Sequence, residues 1–415
     1  MHYTLTYAMS RIGRRGFLRA TTGGIAFVAL SGISSGNGQA PYEVWAADQG
    51  TDTLYVYRPH RRGRDHPEWR EHDVVSLGEY GIETPHMLHF SSDYKYAVTA
   101  NTGSGDVAVL HAPSRRVLDV LDTGPGSHFA GFSPNDEYIH VDVIGNSEIV
   151  RINADLRLEE FEIDDRIQVN EDIDGLTEEE GAPICHDYDH QGRSMHTLGP
   201  SYHNGGVVIV DHTEFEAVNA WSGNELPANC GTIPHPTEHK FYLTAGLPSA
   251  PDEGEEGVGE FYVLDTTDDS IRVAGESTHG IDAHGVWPTV VDGERELWIV
   301  NRETNDGVIV DMDNDEVKKE IESFGPVDDV EPEDSDAPDI LWTSPDERYM
   351  FGTLRGPNPV SGDPHAATGV NPGFAVWDVA GRERVSTITP DVDNDNSDFH
   401  GIAVRPVNGS ATQGR

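Results

Sequence analysis

Four histidines recur at one position of a repeated strand: Pro85-His86, Ser127-His128, Ala283-His284 and Phe399-His400. A further repeat carries an acid there, in Pro338-Asp339-Ile340. Two more histidines fall on the same strand class in shifted register. His186 lies two residues further along, and His235 is placed at the position of Phe90. Neutral imidazole is a donor that suits copper and zinc. Side chains of this kind, converging from several repeats, would make a transition-metal site without any sequence-local motif. The same slot has a structural use, since an imidazole nitrogen at a strand start can tie it to a neighbouring backbone. Both uses are open. Cys185 and Cys230, the only cysteines, begin two successive copies of that strand. A buried free thiol, a disulfide and a soft metal ligand are all compatible with their spacing.

Other chemistry is poorly represented. Asp311-x-Asp313-x-Asp315 and Asp391-x-Asp393-x-Asp395 have the spacing that opens a calcium loop, but neither has Gly at the sixth position, and only the first has Glu, Glu322, at the twelfth. Calcium is therefore not expected. The one Gly-x-Ser-x-Gly match, Gly32-Ile33-Ser34-Ser35-Gly36, lies within the first forty residues, and no Walker loop occurs.

The elements that must position the histidines are short strands. Residues 85–122 read as strand, Ser-Ser-Asp-Tyr turn, strand, Gly-rich turn and two more strands, and the pattern restarts at Ser127. Four strands in a period of about 40 residues predict propeller blades. First strands begin near His400, His86, His128, Pro183, Cys230, Asp282 and Pro338, which gives an all-β fold of seven blades. Tyr42 to Tyr57 matches a second and third strand with no first strand before it. That strand is expected from Phe399 to Pro406, so the first blade is assembled from both termini and no sheet edge between blades stays open. First-to-second and third-to-fourth turns are expected to be tight. Long connections are expected at Asp164–Ala182, Leu247–Gly257, Gly325–Ala337, Arg355–Gly373 and Asp391–Asp398, gathered on the face where first strands enter the channel.

The repeat resembles the YVTN family of β-propellers through Phe132-Ser133-Pro134-Asn135, Thr343-Ser344-Pro345-Asp346 and Ala97-Val98-Thr99-Ala100-Asn101, over residues 41 to about 407. The histidine-bearing first strands are also distantly similar to the propeller of nitrous oxide reductase and to the selenium-binding protein family with its methanethiol oxidase activity. That likeness implies a copper or zinc site, carried over to His86, His128, His284 and His400, with His186 and His235 as weaker members. The chain departs from nitrous oxide reductase in having no electron-transfer copper domain after the propeller. Zinc-carrying periplasmic metallochaperones share the architecture, but the His-rich acceptor loop is missing here. Neighbouring blades can share an ion, which favours His400, His86 and His128; His284 is expected to stand apart from them. Ligand histidines must be neutral, so metal affinity is expected to fall below about pH 6.5.

Composition sets the surroundings. The formal net charge is −45, although the first forty residues contain four Arg and no acid, and Lys occurs only at 95, 240, 318 and 319. Such an acidic surface resembles that of haloarchaeal proteins and excludes nucleic acid as a partner, because phosphate contacts need a basic face. Residues 1–40 read as a targeting segment, with Arg14-Arg15-Gly16-Phe17-Leu18-Arg19 similar to a twin-arginine signal. Its apolar run is too short to span a bilayer comfortably. The expected layout is a signal at 1–40, the propeller at 41–408 and a tail at 409–415, in an exported monomer. Three functions fit: a metal-binding propeller in a redox or metal-handling role, a scaffold for an envelope protein or glycan, or a lactonase-like hydrolase acting on a small molecule.

Overall fold

A computed structural model describes residues 42–60, 66–173, 175–176, 181–324, 336–362, 364–390 and 395–407. The expected signal segment, the tail and Asp391 and Asp393 lie outside them. The chain forms seven four-stranded antiparallel sheets, each following its neighbour around a ring of inner strands. It is a seven-bladed β-propeller. The inner strands, in blade order, are Phe399–Pro406, Pro85–Phe90, Ser127–Phe132, Ala182–Tyr188, Thr232–Pro234, Ala283–Val291 and Pro338–Thr343. Blade one is closed as expected: Phe399–Pro406 pairs with Tyr42–Asp48, which pairs with Thr53–His60 and then Glu68–Ser76.

Two details of the loops differ. Asp164 sits inside the outer strand Glu160–Gln168 rather than in a loop, because the Phe161/Ile163/Ile167 side of that segment still has apolar surface to bury. In blade one the third and fourth strands are separated by residues 61–67, so that connection is not tight.

Apolar alternation puts the core between blades. Trp45 of blade one stands edge-on to Phe90 of blade two at 5.3 Å, and Phe324 of blade six to Trp377 of blade seven at 4.9 Å. Each such pair adds about 0.5–1.5 kcal/mol beyond the area it buries. The Ser-containing turns also have a physical reason. Ser91, Ser133 and Ser344 each accept the backbone N–H five residues on, at 3.0 Å, while Tyr94, Asp136 and Glu347 take the left-handed backbone that closes the turn.

The inner strands carry the feature that matters for function. Pairing with the second strand slips between Pro85 and Met87, Ser127 and Phe129, Pro183 and Cys185, Ala283 and Val286, and Pro338 and Leu341. Each slip is a bulge at the repeat's histidine slot, and a bulge re-aims the side chain it carries. Successive inner strands come very close there. A Cβ on Gly285 would lie 1.9 Å from the Asp339 carbonyl oxygen, and one on Gly401 would lie 2.7 Å from that of His86. Glycine after the slot is what lets the ring close down.

Candidate metal centre

The register assigns seven residues to the slot, one per blade: His400, His86, His128, Ile184, Cys230, His284 and Asp339. The imidazoles meet at the axis. His86 stacks on His400 with centroids 3.6 Å apart, His128 is 4.1 Å from His86, and His284 is 5.8 Å from His400. His284 therefore does not stand apart. Asp339 bridges the gap: its Oδ1 is 3.1 Å from His284 Nε2 and its Oδ2 is 3.4 Å from His400 Nε2. His284, Asp339 and His400 offer ligand atoms within 4.8 Å of one another.

The hydrogen bonds fix the tautomers. His86 Nδ1 is 2.8 Å from Gln49 Oε1, His128 Nδ1 is 2.9 Å from the Ile184 carbonyl, and His400 Nδ1 is 3.2 Å from the His86 carbonyl. Those oxygens only accept, so each Nδ1 carries the proton and donates it. Each Nε2 keeps its lone pair. The Nε2 of His86 is buried and has no partner, as is the Nδ1 of His284, and Asp339 Oδ1 accepts no hydrogen bond. Nδ1 thus ties the blades together and leaves Nε2 uncommitted to the backbone.

Burial, and then the charges of neighbouring histidines and arginines, keeps these rings neutral. His128 is lowered to about 4 and His284 to about 3, and His86 and His400 fall well below the usual imidazole range. Burial opposes ionisation of Asp339, but His284, Arg302 and Arg355 outweigh it and hold the carboxyl at about 2. These rings stay neutral well below the pH of about 6.5 at which a free imidazole titrates, so protons compete for their nitrogens only at lower pH than the sequence suggests. The folded rings bind protons less readily than the unfolded chain, whose histidines titrate near 6.5. Below that pH the unfolded state takes up more protons, and stability falls by up to about 1.4 kcal/mol per pH unit for each such ring. Carboxyls raised by burial, Asp187 and Asp336 to about 6 and six others by direction, act in the opposite sense, but ten described histidines are lowered against these eight. Thermal unfolding at fixed salt should therefore show a melting temperature several degrees lower at pH 5 than at pH 7. An equal or higher value at pH 5 would contradict the neutral ring.

The other expected residues are placed differently. His235 is at the position of Ser91, not of Phe90, because Pro234 pairs with Phe241 as Phe90 pairs with Ala97. Its Nδ1 accepts the N–H groups of Thr237 at 3.1 Å and Glu238 at 2.8 Å, so it closes a turn away from the ring. His186 joins a second buried group, where Asp142 accepts from His186 Nδ1 at 2.6 Å and from His196 Nδ1 at 2.5 Å. Ser194 continues this chain to His140. Cys185 and Cys230 are free and buried, so no disulfide forms. Cys185 Sγ lies 3.8 Å from His128 Nδ1, and burial pushes the Cys230 thiol up to about 12. Asp311 caps its own hairpin turn, and Asp315 receives Lys240 and Tyr242.

Sequence reasoning did not find Arg302 and Arg355, which follow second strands and brace Asp282, Asp339 and Asp398. Nor did it find His140, Asp142 and His196. Their signal was polar residues interrupting the apolar second strands Tyr138–Val143 and Arg193–Gly199.

No family model and no curated protein matches the chain. Among solved structures it is similar to the hydrazine synthase of Kuenenia stuttgartiensis, with 14% identity, a TM-score of 0.54, and coverage of 88% of this chain and 100% of that one. It is also similar to the dihydro-heme d1 dehydrogenase NirN in complex with DHE, with 12% identity, a TM-score of 0.52, and coverage of 89% and 77%. At such identities the likeness concerns the fold alone.

Proposed function

We propose that this propeller is a metal-binding protein that holds a transition-metal ion, Zn(II) or Cu(II), on the histidine ring of its channel, in a metal-handling role. The observation that carries the reading is the set of Nδ1–H groups committed to Gln49, Ile184 and His86. Metal-ligating histidines characteristically donate their other nitrogen in this way, which fixes the ring and raises its basicity. His86, His128 and His400 would bind through Nε2, with Asp339 as the carboxylate and His284 completing the set. These are nitrogen and oxygen donors, the set zinc takes in three-histidine and histidine–carboxylate sites. The Cys230 thiol, held protonated in the same ring, adds no soft donor. The names of the similar structures point to nitrogen and heme chemistry, but a channel cavity of about 100 Å³ is far too small for a tetrapyrrole. The reading therefore rests on side chains. With it go a YVTN-type repeat, export by a twin-arginine signal and life in strong salt, supported by the Ser-x-Asp/Asn turns, the Arg14-Arg15 segment and the net charge of −45.

Metal-stripped protein titrated with Zn(II) and with Cu(II) in molar salt should take up one equivalent. A His86→Ala, His128→Ala double variant that keeps its circular dichroism spectrum should lose at least about a hundredfold in affinity, the scale already reached by losing outer-shell partners. Equal stoichiometry and affinity in both proteins would return these rings to a purely structural role. Elemental analysis of protein purified from its own host then separates zinc from copper.

A further inference from the structure

Next to the histidine ring along the channel lies a cavity of about 100 Å³. Met87, Phe129 and Ile340, one residue past the slot, and Trp287 and Trp342, three past it, give it an apolar wall. The two indoles stack at 4.0 Å. Into this wall the fold sets two polar atoms of opposite character. His186 is fully buried, donates its Nδ1–H to Asp142, and so presents an unprotonated Nε2 that has no partner. That nitrogen lies 3.1 Å from where a Cβ on Gly131 would stand, and both residues line the cavity. His89, also on the wall, accepts the Phe132 N–H through Nδ1 at 3.3 Å, so its proton is on Nε2.

An unpartnered acceptor buried in an apolar cavity costs free energy until something donates to it. Asp142 cannot serve an occupant, since both its oxygens are taken by His186 and His196. Asp187 is the one acid on the wall, its carboxyl raised by burial to about 6, and no Arg or Lys stands there to balance an anion. We propose that this cavity binds a small neutral molecule with an apolar body and one hydroxyl or carboxamide group, donating to His186 Nε2 and accepting from His89 Nε2–H. An engineered apolar cavity of about 150 Å³ holds benzene, so an occupant of roughly four carbons fits. Asp142, whose other oxygen is held by His196, is the positioning residue that fixes the His186 tautomer. The inference does not depend on whether the ring above carries a metal.

The probe is 1-butanol, followed by saturation-transfer NMR and by tryptophan fluorescence through Trp287 and Trp342, with butyrate as the charged counterpart. Saturable binding of the alcohol and none of butyrate is expected. His186→Phe and Gly131→Ala should each weaken the alcohol about tenfold, the first by removing the acceptor and the second by filling the space before it. The His86→Ala, His128→Ala variant should leave alcohol binding unchanged, which separates this site from the metal. If His186→Phe does not fold, Gly131→Ala decides. No saturable binding to the wild type, butyrate binding as tightly as butanol, or Gly131→Ala binding as tightly as the wild type would each overturn the proposal.

Discussion

A chain ending at Asp398 should not fold. The strand it lacks, Phe399–Pro406, is buried along all but its last residue and supplies the inner edge of blade one. Phe399, Ile402 and Val404 pack into the core shared with blade seven, and Ala403 into the core shared with blade two. Burying a large aliphatic or aromatic side chain is worth about 1.5–3 kcal/mol, so three of them alone approach the 5–15 kcal/mol that holds a typical domain together. The loss also takes from Glu43 the Arg405 Nη1 it accepts at 2.9 Å, and from Thr353 the His400 carbonyl it donates to at 2.7 Å. Tyr42–Asp48 would then become an open, apolar edge, the geometry that recruits other chains. Expression of the truncated protein should give aggregate, or a soluble species with no cooperative melt in molar salt. A melting temperature equal to that of the full chain would dispose of the closure.

Arg355→Met should cost about 3–5 kcal/mol, the scale for leaving a buried charge unpaired. Arg355 has no exposed surface. It donates to Asp339 Oδ2 at 2.8 Å, to both oxygens of Asp398 at 2.8 and 2.9 Å, and to the Ser361 carbonyl at 2.6 Å. Asp398 would keep Gln49 and the N–H groups of Gly356 and Val360. Asp339 would keep only the distant Arg302, at 3.8 Å, and the neutral His284 and His400. The damage should therefore centre on Asp339, and adding Asp339→Asn should recover part of it. Denaturant unfolding of the two single variants and the double variant measures the coupling. Additive losses would show that Arg355 braces the loop at Ser361 rather than the ring. Because Asp339 belongs to both the charge network and the candidate metal set, Zn(II) added to Arg355→Met should stabilise it more than it stabilises the wild type.

The fold was legible because a propeller repeats its local rules. Ser-Pro-Asn-Asp and Ser-Pro-Asp-Glu turns announce hairpins, period-2 alternation marks strands buried blade on blade, and a first blade lacking its first strand sends the reader to the other terminus. The histidine slot was legible for the same reason: one position, repeated, is visible without any structure. Register finer than that was not. A shift of one residue moves a side chain to the other side of its strand, and it took His235 from the channel to a turn, while the bulges that turn the slot inward leave no mark on hydrophobicity. The width of the ring was also hidden, since it depends on how closely Gly285 and Gly401 let adjacent strands approach. That closeness, not the spacing in sequence, brings His284 to His400 across the blade of Asp339. The Asp142–His186–His196 group joins residues from different blades, and the arginines around Asp339 arrive from second strands. Sequence alone determined the blades and which residue types face the axis; only the packing of one blade on the next decided which nitrogens keep a free lone pair.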